Sequence, residues 1–191
     1  MKYCSYCASE VEFIVPEGDN RPRHVCSECG AIHYQNPRIV AGCLPEWEDK
    51  ILLCRRAIEP RYGLWTLPAG FMENGETTLQ AACRETVEEA NAHVTLKGLY
   101  TMFNLPHINQ VYLIFRGALQ DLKFGPGAES LDVRLFEEEV IPWDKIAFPV
   151  IRETLALYYR DRRTGDFSLR SGDIVRTNGD ILLYRITIHG D

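Results

Sequence analysis

The chain has 191 residues, 46% of them apolar and 25% charged, with 14 Gly, 10 Pro and a formal net charge of −6. These proportions are those of a globular protein and exclude collagen-like, disordered and coiled-coil architectures. No apolar run is long enough to cross a bilayer, no secretory leader is evident, and no polybasic stretch offers a surface to a phosphate backbone, so neither membrane nor nucleic acid is expected as a partner.

Residues 1–36 carry Cys4-x-x-Cys7 and Cys26-x-x-Cys29, two pairs separated by 18 residues. A segment of that size builds too little core to fold alone. The spacing matches a zinc ribbon, in which Cys4, Cys7, Cys26 and Cys29 close a tetrahedron around structural Zn²⁺. Disulfides are the other use of paired cysteines. The odd total of seven and the lack of a leader favour a reducing, cytoplasmic setting instead. Lys2, Arg21 and Arg23 are outnumbered by Glu10, Glu12, Glu17, Asp19 and Glu28, so this module is not expected to bind nucleic acid.

Residues 37–165 alternate strands and helices irregularly. Residues 39–44 and 51–56 read as a hairpin, and 64–67 as a short strand stopped by Pro68 and Gly70. The clearest helix spans 78–92, opened by the capping box Thr77-x-x-Gln80. Residues 111–116 and 133–136 read as strands, and 148–160 as a helix with Pro149 in its first turn. The hairpins argue against a doubly wound parallel sheet. The expected fold class is α/β, a mixed sheet sandwiched by helices. Residues 166–191 form a tail that reads as a β-hairpin around Asn178-Gly179 and carries no visible chemistry.

At 100° per residue, Leu79, Ala82, Cys83, Thr86 and Ala90 share one face of the first helix, expected to be buried, with Glu85, Glu88 and Glu89 opposite. Glu85 has like-charged neighbours at i+3 and i+4, each costing roughly 0.2–0.5 kcal/mol. A solvated acidic face is the ordinary explanation of such a run. Here small residues (Ala81, Ala92) flank the carboxylates and Arg84 is placed to pair with Glu88. A local rule broken in a well-capped helix marks a candidate site, and three carboxylates on one face suit a hard divalent cation such as Mg²⁺.

Gly70, five residues, Glu76, seven residues, then Arg84-Glu85-x-x-Glu88-Glu89 resembles the Nudix box, G-x5-E-x7-R-E-U-x-E-E-x-G-U. Thr86, Asn91 and Ala92 depart from it without touching the charged positions, and Asn91 can supply the left-handed stop that the box assigns to Gly. The resemblance implies an α/β/α sandwich and an Mg²⁺- or Mn²⁺-dependent hydrolase acting on a nucleoside diphosphate linked to another moiety. Carried over by position, Glu85, Glu88, Glu89 and the Gly70 carbonyl would hold metal, Arg84 would orient a glutamate, and Glu76 would brace the loop. The general base would be Glu88 or Glu89, or Glu129 in the Gly/Pro-rich loop 125–130.

A zinc ribbon ahead of a Nudix domain is similar to two subgroups. The NADH pyrophosphatase type carries Ser-Gln-Pro-Trp-Pro-Phe-Pro after the box, where this chain has Thr101-Met102-Phe103-Asn104-Leu105-Pro106. The ADP-ribose/FAD diphosphatase type is similar around residues 55–60, 64–70 and 141–148. The implied substrate is therefore ADP-ribose or FAD, releasing AMP. NADH or NAD hydrolysis and a non-catalytic ligand-sensing module are the alternatives, and a homodimer is open. Phe103, Tyr112 and Trp143 are candidates to stack on a nucleobase or flavin, with core packing as the competing role of each. Arg55 and Arg56 point to opposite strand faces, and Arg55 is taken as the phosphate contact. His107 is read as a loop residue.

Overall fold

A computed structural model describes residues 1–177 and 184–189. The chain divides into two compact units, Met1–Pro37 and Arg38–Asp191. In the first, β1 (Val11–Ile14), β2 (Arg23–Cys26) and β3 (Ile32–His33) form an antiparallel sheet in that order. Its apolar side chains are largely exposed, Phe13, Ile14 and Tyr34 among them, while Cys4 and Cys26 are buried. The buried centre of this unit is thus its thiols rather than a hydrophobic core.

The second unit begins with β4 (Arg38–Trp47) and β5 (Lys50–Arg56), then the short β6 (Trp65–Thr66) and β7 (Ala69–Phe71). Helix α1 (Thr78–Ala90) follows, then β8 (Val94–Leu105), β9 (Gln110–Leu119), β10 (Ser130–Phe136), helix α2 (Pro149–Thr164), β11 (Arg170–Arg176) and β12 (Tyr184–His189). The strands make one mixed sheet in the order β10-β5-β4-β9-β8-β11-β12, with β6 on β5 and β7 on β4. The β4–β9 and β8–β11 pairs are parallel and the others antiparallel.

Strand alternation builds two cores. Leu44, Ile51 and Leu53 pack with Val150, Ile151 and Leu155 of α2. Their chain neighbours Cys43, Leu52 and Cys54 pack instead with Ala90 of α1. Side chains of successive strand residues point to opposite faces, so the sheet is covered on both. This is the α/β sandwich expected from sequence. Among the described residues no helix is long and apolar enough to cross a membrane.

Three features differ from the sequence reading. Helix α1 ends at Ala90, because Asn91 turns into the left-handed region at φ 47° and donates its backbone N–H to Val87. The 12-residue β8 is additional, and Phe103 within it is wholly buried. The tail is part of the sheet: β11 lies parallel on β8 and pairs with β12. The expected Asn178-Gly179 turn falls outside the described residues.

Candidate active site and cysteine cluster

The four ribbon thiols meet a metal's requirements. The Sγ atoms of Cys4, Cys7, Cys26 and Cys29 lie within 4.8 Å of one another, Cys4–Cys29 at 3.7 Å and Cys7–Cys26 at 3.4 Å. A tetrahedral ion with metal–sulfur distances of about 2.3 Å spaces its sulfurs about 3.8 Å apart. Cys4 Sγ also accepts the Tyr6 backbone N–H at 3.4 Å, and buried His33 places Nε2 3.3 Å away. Donors of this kind orient a thiolate ligand and moderate its charge. His33 has no sequence signal of its own, since only the fold brings β3 under the first knuckle.

The second site is built on α1. The Thr77 hydroxyl accepts the Gln80 N–H at 3.2 Å and the Gln80 carboxamide accepts the Thr77 N–H at 2.8 Å, so the capping box starts the helix as expected. The face that turns inward keeps Ala82, Thr86 and Ala90 of the one expected but is rotated away from Leu79. Ala81, Ala82, Glu85, Thr86, Glu89 and Ala90 are buried, Cys83 is half-buried and Leu79 is 48% exposed. Two of the three box carboxylates therefore lie beneath the helix, and Glu88 alone is solvated. Hydrophobic ordering places Leu79 inside. The helix instead spends that side on Glu85 and Glu89.

Arg84 joins the acids. Its guanidinium donates to Glu76 through Nη2 (2.7 Å) and Nε (3.1 Å), to Glu85 (2.7 Å) and Glu88 (2.9 Å) through Nη1, and to the Phe71 carbonyl (3.1 Å). Glu76 in turn accepts the Glu73 N–H at 2.6 Å and closes the loop before α1. These charge-assisted bonds hold the Glu76 carboxyl below the usual range and raise Arg84, with the Glu76–Arg84 bond the largest cause for both. Burial raises Glu85 against the pull of Arg84. Burial also pushes Glu89 up to about 8, with Glu85 adding to it and Arg56 opposing. Among the described residues Glu89 has no ion pair.

Gly70 is required by contact. A side chain there would displace the Glu85 carboxylate, so glycine lets the β7 backbone and that acid meet in this position. Gly127 plays the same part at the other end, where a Cβ would strike the Glu88 carbonyl. The Gly127 N–H donates to Glu89 O at 3.0 Å, and the Asn91 side chain donates to Gly125 O (3.3 Å) and Pro126 O (3.0 Å). Loop 125–129 is thereby pressed onto the end of α1, and Glu129 joins the acids.

A cavity of about 990 Å³ opens over these groups. Gly70, Glu85, Glu88, Glu89 and Glu129 line it with Arg84, Arg56 and Tyr112. Of the residues expected to contact substrate, Tyr112 is therefore in the cavity. Arg55 is not: it is exposed, and its Nε donates to Gly63 O at 2.9 Å. The two arginines do alternate, but β5 turns Arg56 rather than Arg55 toward the cavity. Phe103 belongs to the core, which corrects its assignment to substrate. Trp143 packs against the same core, 6.5 Å from the Tyr159 ring. His107, read as a loop residue, lines the cavity, as do Ile174, Arg176 and Tyr184 of the tail.

The donor set suits a hard cation: carboxylates plus a backbone carbonyl, one acid buried without a cationic partner, and a glycine whose Cβ would fill the space. Among the described residues only the cysteines converge within 4.8 Å, so the carboxylates stand wider apart, as hydrated ions bridging to phosphate oxygens allow.

The chain matches the Nudix N-terminal family over residues 2–35 and the NUDIX domain family over residues 36–158. It belongs to the Nudix hydrolase family. It is similar to a crystal structure of a NUDIX hydrolase from Nitrosomonas europaea, at 56% identity and a TM-score of 0.90 over 92% of this chain and 100% of that one. It is 31% identical over 121 residues to the ADP-ribose pyrophosphatase of Methanocaldococcus jannaschii, 60% of this chain and 69% of that protein. It is 28% identical over 165 residues to the NAD-capped RNA hydrolase NudC of Photobacterium profundum, 81% of this chain and 58% of that protein.

Proposed function

We propose that the chain hydrolyses the diphosphate bond of a nucleoside diphosphate linked to another moiety, ADP-ribose or FAD, and releases AMP. The observation that carries this reading is the cluster of Glu85, Glu88 and Glu89 organised by Arg84 and set against Gly70 in a cavity that Arg56 also faces. Mg²⁺ or Mn²⁺ held by those carboxylates and the Gly70 carbonyl would screen the diphosphate and acidify a bound water. Arg84 keeps Glu85 and Glu88 in one orientation, and Glu76 holds Arg84 in turn. Arg56 offers a guanidinium to a phosphate oxygen. Glu129, on its glycine-shaped loop, takes the proton of the attacking water. The ribbon's thiols hold structural Zn²⁺, and seven free cysteines suit a reducing, cytoplasmic setting. The partner proposed is a small molecule, and a homodimer is compatible with this reading.

A second reading, NADH or NAD-capped RNA as substrate, is favoured by the relatives named NudC. Incubating the protein and Mg²⁺ with ADP-ribose, FAD, NADH and an NAD-capped RNA, then separating products by chromatography, tests both. The first reading expects AMP fastest from ADP-ribose or FAD. Faster turnover of NADH or capped RNA reverses the order, and no turnover of any of them overturns both readings.

A further inference from the structure

The cavity does not stop at the carboxylates. It runs across the sheet to β11 and β12, where Ile174, Arg176 and Tyr184 complete its wall. These residues lie beyond residue 158, where the match to the NUDIX domain ends. The order β7-β4-β9-β8-β11 puts four strand spacings, about 19 Å, between the strand of Gly70 and that of Ile174. That reach lies to one side of the acids and leaves room for a group attached to the phosphates there.

The hairpin is seated firmly enough to act as a wall. Arg170 donates to buried Asp161 of α2 at 2.8 Å and 3.2 Å, and Tyr100 donates to the same carboxylate at 3.0 Å. Asn104 of β8 donates to Asp173 at 2.9 Å, beside the parallel β8–β11 ladder.

The chemistry of this far arm is narrow. Leu105, Ile108 and Ile174 give this arm aliphatic walls, Gln110 and His107 add its polar groups beside Arg176, and the Tyr184 ring lies 5.6 Å from that of His107. A hydroxyl-rich sugar would leave polar groups without partners against such walls, whereas a flat heterocycle would bury its faces. Arg176 is exposed at the rim and, among the described residues, has no carboxylate partner. It can donate to ring nitrogens or carbonyls. We propose that the C-terminal hairpin is the heterocycle subsite of this enzyme, with Tyr184 as the stacking surface and Arg176 as the edge donor, and that both set specificity. This rests on the diphosphatase reading above.

Calorimetric titration of the full chain with AMP, FMN and ribose 5-phosphate in Mg²⁺ tests it, with ADP-ribose and FAD turnover measured alongside. In the wild type, AMP or FMN should bind at least about tenfold more tightly than ribose 5-phosphate, and the stronger of the two identifies adenine or flavin. Tyr184→Ala and Arg176→Ala should each weaken heterocycle binding, the former about tenfold, and leave ribose 5-phosphate unchanged. Tyr184→Phe should retain it. Arg176 is exposed, so its variant stays informative if Tyr184→Ala disturbs the hairpin. Turnover with AMP and FMN affinities within twofold of wild type in both alanine variants overturns the subsite alone. Loss of turnover on every substrate with the predicted binding pattern intact overturns catalysis alone, and absence of both AMP and FMN binding overturns the subsite.

Discussion

Glu129 sits exposed on the loop that Gly127 presses against α1, close enough for its charge to help raise Glu85 and Glu89. It lines the cavity from outside the helix whose carboxylates would hold the metal, so it can act on the attacking water without being a ligand. Glu129→Gln should therefore lower kcat by roughly 10²–10⁴-fold with Mg²⁺ affinity near wild type. Unchanged kcat would make Glu129 a bystander. Glu89 behaves in the opposite way. Its carboxyl titrates near 4.5 when unfolded and about 8 when folded, so the native state binds the extra proton between those values. Its contribution to stability is complete below about pH 4.5 and is lost as pH rises through about 8, at up to about 1.4 kcal/mol per unit. In chelator, the Tm should fall from pH 5 to pH 8, and Glu89→Gln should flatten that decline. Thermal melts with an equal slope in both proteins would contradict this.

Helix α1 is where local rules and function part company. Its start follows from sequence, and Thr77→Ala should cost about 1 kcal/mol, read from denaturant melts, while leaving kcat within twofold. A loss well below that would mean the cap is not formed in solution. Its orientation did not follow from sequence. Apolar periodicity turns Leu79 and Cys83 inward, and only the packing of β7 and loop 125–129 explains why Glu85 and Glu89 lie there instead. Strand β8 was illegible for a different reason. Its pairing with β9 shifts register between Leu96 and Gly98 and again between Leu99 and Thr101, which breaks the period-2 pattern. Arg55 and Arg56 were separable by alternation, but which face held the cavity depended on partners far along the chain. The box spacing was fully legible, because Gly70, Glu76, Arg84 and the glutamates sit on one continuous strand, loop and helix.

At the scale of the whole chain, two units have two different sources of stability. The strand unit buries aliphatic residues on both faces of its sheet, whereas the ribbon buries thiols. Metal binding to a structural site supplies on the order of 10–16 kcal/mol to folding. Cys26→Ser should thus release bound zinc and unfold residues 1–37 while the NUDIX unit keeps its own melting transition, as metal analysis and calorimetry would register. Zinc-free wild-type protein with a folded ribbon would contradict this. The tail belongs to the larger unit by its hydrogen bonding to β8, a placement that the hairpin reading of residues 166–191 left open.

If the acids of α1 form the metal-dependent centre, kcat for ADP-ribose or FAD measured against Mg²⁺ concentration in Glu88→Gln will register it. Glu88 is exposed and, among the described residues, its carboxylate bonds to Arg84 alone, so the substitution keeps its size and spares the fold. The predicted result is a loss of several orders of magnitude in kcat with an unchanged melting curve; near-normal turnover with the wild-type Mg²⁺ dependence would contradict the assignment.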